Sequence, residues 1–237
     1  MIFATGDKHV PHDISGLNNK RWPLGNTLTK NDYLIIAGDF GLLWEAYPDN
    51  TEKYWTKWLQ DKPWTTLFID GNHENHYRLS NLHTQEMFGS EVGIVAESIY
   101  HLRRGHVYDI PNISTKQPNR VDKFFTFGGA ESIDKWCRTQ GISWWPEEIP
   151  NRAEFDRGWN ALEAIDWKVD YIITHTCPTE VMPDIYANSK DSDPTSRLLQ
   201  AYRNKLTFNC WYCAHFHEDR AFSLDTLCLF QKVHKIQ

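Results

Sequence analysis

Short apolar runs rich in β-branched and aromatic residues recur along the chain, and each stops abruptly at small or polar residues. Met1–Thr5 stops at Gly6-Asp7, Tyr33–Ala37 at Gly38-Asp39, and Thr65–Ile69 at Asp70-Gly71-Asn72-His73. Further on, Phe124–Phe127 stops at Gly128-Gly129, Tyr171–Thr174 at His175, and Phe208–Cys213 at Ala214-His215. Runs that are apolar throughout, without alternation, predict strands covered on both faces, as in a largely parallel sheet.

Helical patterns lie between these runs. Asn50 is placed to cap a helix through about Asp61, with Tyr54, Trp55, Trp58 and Leu59 on one face. Asn151 with Glu154 reads as a capping box, followed by the stripe Phe155, Trp159, Leu162 and Ile165. Asp193-Pro194 opens a third helix carrying Leu198, Leu199 and Tyr202. Arg220–Ser223 and Leu227–Gln231, around Leu224-Asp225-Thr226, predict a closing hairpin. Strands alternating with helices give an α/β sandwich, in which ligands collect at the carboxyl ends of strands. No repeat or low-complexity linker divides the sequence, so residues 1–237 are expected to form a single domain.

Those strand ends are where the polar residues concentrate. The 11 histidines would mean little if scattered over a surface. Their joint order is what matters: Asp7-x-His9, Gly38-Asp39, Gly71-Asn72-His73-Glu74, Thr174-His175 and Ala214-His215-x-His217. Each cluster alone is a common polar turn. Together they would gather two Asp, one Asn and several His at one sheet edge, nearly all of them competent oxygen or nitrogen ligands. Burying so many imidazoles and carboxylates without a cation would cost several kcal/mol.

The combined pattern resembles the calcineurin-like metallophosphoesterase superfamily, whose signature runs Asp-x-His, Gly-Asp-x-x-Asp, Gly-Asn-His-Asp/Glu, His, Gly-His-x-His. The resemblance extends from Asp7 to His217. It implies a two-sheet β-sandwich flanked by helices (αββα), with a dinuclear metal centre at the strand C-terminal edge. Carried over residue by residue, Asp7, His9 and His217 would bind one metal, and Asn72, His175 and His215 the other. Asp39 would bridge them, and His73 would stand near the leaving-group oxygen as a general acid. The activity implied is phosphomonoester or phosphodiester hydrolysis by metal-bound hydroxide. Two divalent ions about 3.5–4 Å apart can stabilise both ends of an in-line displacement. Imidazole-rich ligation suits Mn, Fe, Zn, Ni or Co better than Ca, and Mn is the expected activator.

Three positions depart from the signature. Leu42 stands where its second Asp would be, Val10 replaces a common Gly, and Ala214 replaces the Gly of Gly-His-x-His. If that last turn required a left-handed residue, Ala would cost roughly 1–2 kcal/mol. Without the second Asp, a protein phosphatase or a symmetrical dinucleoside polyphosphate hydrolase is disfavoured, and the resemblance is closer to compact bacterial or phage phosphoesterases.

Charge narrows the substrate. Lys and Arg number 25 against 31 Asp and Glu, a net −6, which disfavours a sequence-blind grip on long nucleic acid. A small phosphoester or nucleotide is therefore expected. A nuclease using the same centre and a non-catalytic scaffold are the competing readings. No run is long enough to span a bilayer, the N-terminal residues lack signal-peptide features, and five cysteines fit reduced thiols, so a cytoplasmic location is expected.

Weaker signals remain. Arg103, Arg104, Lys116, Arg120 and Lys123 outnumber Asp109 and Asp122 in a segment that reads as a solvated hairpin; Arg104 is its candidate phosphate contact. Asn75, His76 and Tyr77 are candidates to line the substrate mouth, and Glu74 to favour a following helix N-terminus. Gly128-Gly129-Ala130 would let backbone approach the site or form a simple tight turn. Trp144-Trp145-Pro146 reads as a core-capping cluster, with base stacking as the alternative. Cys210-x-x-Cys213 lies on an extended strand that puts its thiols on opposite faces, which favours structural thiols over a zinc or redox pair.

Overall fold

A computed structural model describes residues 1–113, 117, 119–186 and 193–236. The strands are β1 (Ile2–Thr5), β2 (Tyr33–Ala37), β3 (Thr65–Ile69), β4 (Thr84–Met87), β5 (Ser90–Ala96), β6 (Ile99–Leu102) and β7 (His106–Pro111). They continue with β8 (Val121–Phe127), β9 (Tyr171–Thr174), β10 (Cys210–Cys213), β11 (Arg220–Ala221), β12 (Thr226–Cys228) and β13 (His234–Lys235). The α-helices are α1 (Asn50–Gln60), α2 (His76–Ser80), α3 (Arg152–Glu163) and α4 (Pro194–Arg203).

One sheet has the order β13-β1-β2-β3-β6-β5-β4, the other β11-β12-β10-β9-β8-β7. Both are mixed. β1, β2, β3 and β6 run parallel in the first, and β8, β9, β10 and β12 in the second. Strand periodicity explains the layers: Ile35, Ala37, Leu67 and Ile69 meet Phe124, Tyr171, Ile173 and Tyr212 between the sheets. The intervening residues Leu34, Ile36 and Phe68 pack outward with Leu59 of α1. On the opposite face Phe125, Ile172 and Trp211 pack with Leu162 of α3 and with Leu199 and Tyr202 of α4. This is the expected α/β sandwich, helices outside and two sheets within.

Local details both match and correct the sequence expectations. The Asn151 capping box on α3 is complete, and Asp193 caps α4. On α1 the cap is Asp49, whose side chain accepts from the Glu52 amide at 2.7 Å, so Asn50 is the first helical residue. Tyr54 is exposed while Trp55, Trp58 and Leu59 face the sheet. β10 begins at Cys210, because Phe208 and Asn209 still belong to the connection from α4. Cys210 and Cys213 do lie on opposite faces, in different core clusters. Trp145 is buried against Trp44, edge to face. No helix among the described residues is long and apolar enough to cross a membrane.

Candidate metal centre

The parallel strands bring their carboxyl ends to one edge, where five loops converge. Asp7 and His9 follow β1, Asp39 follows β2, Asn72 and His73 follow β3, His175 follows β9, and His215 and His217 follow β10. The loops are laced together by backbone bonds: Asp7 N–H to Gly38 O, His9 N–H to Asp39 O, and Ala214 N–H to His175 O. The His215 amide donates to both Asp7 carboxylate oxygens, at 3.2 and 3.0 Å, closing the two sheets over 208 residues of sequence.

Backbone conformation is unusual here. Asp7, His9, Asp39, His215 and His217 all have positive φ, and they make up five of the eight non-glycine residues that do among the described residues. Such left-handed residues cost of order 1–3 kcal/mol each and persist where the surroundings over-determine them. Ala214 does not share the conformation, so the departure from Gly carries no backbone cost. Instead its methyl group fills space beside Gly6, where a Cβ would approach it to 2.4 Å. Gly71 is required for a similar reason: a Cβ there would lie 2.1 Å from Asp39 Oδ1. Leu42 packs into the outer apolar core, and Val10 is half-buried at its margin.

Two donor groups result. Ligand atoms of Asp7, His9, Asp39 and His217 all lie within 4.8 Å of one another, as do those of Asp39, His175 and His215. Asp39 belongs to both. Its Oδ2 lies 3.3 Å from His9 Nε2 and its Oδ1 3.2 Å from His175 Nε2. His175 Nδ1 donates to the Ala37 carbonyl at 2.9 Å, which leaves Nε2 to face the donor group. His9 is oriented the same way, with Nδ1 3.1 Å from the Asp7 carbonyl. Asn72 Oδ1 lies 3.1 Å from His175 Nε2, while its amide nitrogen donates to Ser132 Oγ. Ser132 in turn donates to Glu148, a buried pair behind the site with no sequence signal to announce it.

Electrostatics fit a cation. Burial of Asp7 raises its pKa to about 7, against the opposing pull of His175. Burial also works against the charged forms of Asp39 and His175, yet each holds the other ionised: Asp39 stays well below the ordinary carboxylate range and His175 rises to about 10. Burial and the neighbouring His175 lower His215 to about 3. In this arrangement a proton on His175 does what a divalent ion would do better, and mixed carboxylate, amide and imidazole donors suit such an ion.

The residues that carry this pattern all lie within a match to a known family: the model of calcineurin-like phosphoesterases matches residues 2–219 of the 237. The chain belongs to the calcineurin-like phosphoesterase family. No curated protein matches the sequence. Calcineurin-like phosphoesterases use divalent metals and are generally hydrolytic, and the donor groups here are of the kind such metals need.

A cleft of about 390 Å³ opens on this calcineurin-like centre, lined by His9, His73, Leu42, Trp44, Glu45 and Arg138 among others. His73 stands at its floor, with Nδ1 3.0 Å from Asp39 Oδ2 and its amide donating to Asp39 Oδ1 at 2.8 Å. Trp44 meets His73 edge to face. Neither Trp44 nor Arg138 was a candidate from the sequence, since each sits in a loop without periodic pattern.

Arg104 and His76 are elsewhere. Both are buried, and they line a second cavity of about 450 Å³ that shares no lining residue with the first. Arg104 is held by Asp70 and Glu154, so its charge is already answered. Burial and the Arg104 charge lower His76 to about 3. Tyr77 is exposed, and Asn75 caps α2. Glu74 does not serve that helix: it is buried, and its Oε1 accepts from the Phe40 and Gly41 amides at 2.8 and 3.4 Å, bracing the loop that carries Asp39. The Arg103–Lys123 hairpin forms as β7 and β8, with Lys116 outside the described residues. Gly128 and Gly129 pack against Asp70 and Arg104, so they belong with the second cavity.

Proposed function

We propose that the protein is a dinuclear-metal-dependent phosphoesterase that hydrolyses a small phosphomonoester or phosphodiester, such as a nucleotide, with Mn as the activating ion. The observation that carries this is the sharing of Asp39 between two donor groups beneath one cleft, which His9 and His73 line. Asp7, His9, Asp39 and His217 would hold one ion; Asp39, Asn72, His175 and His215 would hold the other. When bound, divalent ions there supply Lewis acidity toward water and toward a phosphoryl oxygen.

The protein's own contribution is orientation and proton placement. Asp39 is fixed by the His73 amide, and Asn72 by Ser132. Arg138 can only donate, so His73 Nε2 accepts from it and the ring proton sits on Nδ1, facing Asp39. For His73 to protonate a leaving-group oxygen, Nε2 must first release Arg138 and take up a proton from solvent; an anion bound between the guanidinium and the imidazole makes both favourable.

Purified protein with added Mn²⁺ should hydrolyse bis(p-nitrophenyl) phosphate or p-nitrophenyl phosphate. Turnover of neither, across Mn, Fe, Zn, Ni and Co, would overturn the proposal.

A further inference from the structure

We infer that Arg138 is the residue that grips the substrate's phosphoryl oxygens, and that the Trp44 side of the same cleft receives a neutral or cationic leaving group in preference to a polyanionic one. This rests on the phosphoesterase proposal above and names the substrate class of that site.

Arg138 follows the short 3-10 turn Lys135–Cys137, in the connection between β8 and α3. Its guanidinium is prepositioned: Nε and Nη2 donate to the two oxygens of Asp134 at 2.6 and 2.8 Å, and Nη1 donates to the Ser143 carbonyl at 3.1 Å. The guanidinium in turn draws Asp134 below the ordinary carboxylate range. The remaining Nη2 hydrogen is directed at His73 Nε2. A neutral imidazole is a poor partner for a guanidinium. A phosphoryl oxygen carries negative charge and pairs with the guanidinium ion to ion, which the neutral imidazole does not, so it displaces the imidazole. Among the described residues lining the cleft, Arg138 is the single Arg or Lys. It therefore supplies the organic cation that faces substrate beside the metal donors.

The rest of the cleft has the opposite character. Val10, Pro11, Leu42 and Trp44 form apolar wall, and Glu45, Asp49 and Glu52 supply carboxylates. Glu52 is paired with Arg78 at 2.6 Å and 2.8 Å. Asp49 and Glu52 occupy the start of α1, where their charge offsets the helix dipole and removes its attraction for anions. A planar neutral group, such as a nucleobase, can pack on Trp44. Additional phosphates of an oligonucleotide would meet Glu45 and Asp49 instead.

The test uses the Mn²⁺-loaded full chain, with bis(p-nitrophenyl) phosphate and a decathymidylate as paired substrates and inorganic phosphate as a binding probe in calorimetry. Arg138→Ala should raise KM and weaken phosphate binding by roughly ten- to hundred-fold, with bound manganese unchanged. Arg138→Lys, which keeps charge but lacks the fork, should recover only part of the loss and guards against a merely misfolded variant. Trp44→Ala should raise KM for the aromatic diester and leave phosphate affinity alone. Wild-type protein should prefer the small diester over decathymidylate, and Glu45→Lys should narrow that preference. If wild type is active while Arg138→Ala and Arg138→Lys match it in KM and phosphate affinity, or while decathymidylate is the better substrate, this inference fails and the phosphoesterase proposal stands. If wild type hydrolyses no phosphoester, both fall.

Discussion

Two buried polar regions lie on either side of the Gly71-Asn72-His73-Glu74 turn, and they resolve the same problem in opposite ways. Behind the turn, Asp70 is buried, but Arg104 bonds it directly and His101 lies 3.0 Å away, so the carboxyl is held well below the ordinary carboxylate range despite burial. In front of it, Asp7 and Asp39 are equally buried but face imidazoles and backbone amides, with no Arg or Lys among the described residues bonded to them, on loops held in left-handed conformations. The first region is a closed ion-pair network whose charges are spent on each other. The second is a histidine-rich donor set around two carboxylates, of the kind that divalent metals need. Both regions hold buried Asp beside His, so the presence of these residue types alone does not distinguish a structural network from a candidate metal centre; the identity of the facing partner does.

The comparison is broken most forcefully at Asp39. Asp39→Asn removes the shared ligand, and turnover should fall at least about a hundred-fold, with loss of bound metal by elemental analysis. His73→Ala should reduce turnover by about 10²–10⁴ with metal content intact, because His73 holds no ion in this assignment. Metal loss in the second variant would erase the distinction drawn between ligand and proton donor.

Arg104→Ala attacks the other region. It strands the buried Asp70 charge and should cost about 3–5 kcal/mol in denaturant unfolding. Folded Arg104→Ala protein should retain its KM, since Arg104 does not line the cleft with His73. A KM change without a stability change would reassign Arg104 to the substrate.

The two regions should also respond to pH with opposite sign. Asp70 lies below its ordinary value when folded, so its stabilisation is complete above about pH 4 and is lost as the pH falls further. Asp7 and His175 are raised when folded, to about 7 and about 10. Their contribution to the metal-free protein is complete at low pH and declines as pH rises through those values. Divalent ions must displace the same protons, so the rise in Tm on adding Mn²⁺ should be larger at pH 8 than at pH 6. An equal rise at both would show that Asp7 and His175 hold no displaceable proton.

The smallest effect is expected at Glu74. Burial and the charge of Asp39 push its carboxyl well above the ordinary carboxylate range. Glu74→Gln keeps the oxygen that accepts from Phe40 and Gly41, and should change stability by less than about 1 kcal/mol. Glu74→Ala, which leaves those buried amides unpaired, should cost more.

Much of this centre is legible in the chain because a parallel strand delivers whatever follows it to a common edge. Asp7, Asp39, Asn72, His175 and His215 need only their position after an apolar run to be placed near one another. The sandwich layers follow equally from uninterrupted apolar strands and capped amphipathic helices, as at Asn151. Residues in irregular connections carried no such rule. Glu74 reads as a helix-favouring acid until the Asp39 loop is seen folded over it, and Arg104 reads as a phosphate contact until Asp70 is found bonded to it.

The amino-acid pattern by itself therefore determined the strand ends and the ligand chemistry gathered there, because both depend on local periodicity and on where each strand stops. Tertiary structure alone decided that Arg138 and Trp44 stand at the cleft, that Ser132 and Glu148 orient Asn72, and that Arg104 and His76 are spent in a separate cavity. Those outcomes depend on contacts between loops distant in sequence, where a charge's role is set by which partner reaches it first.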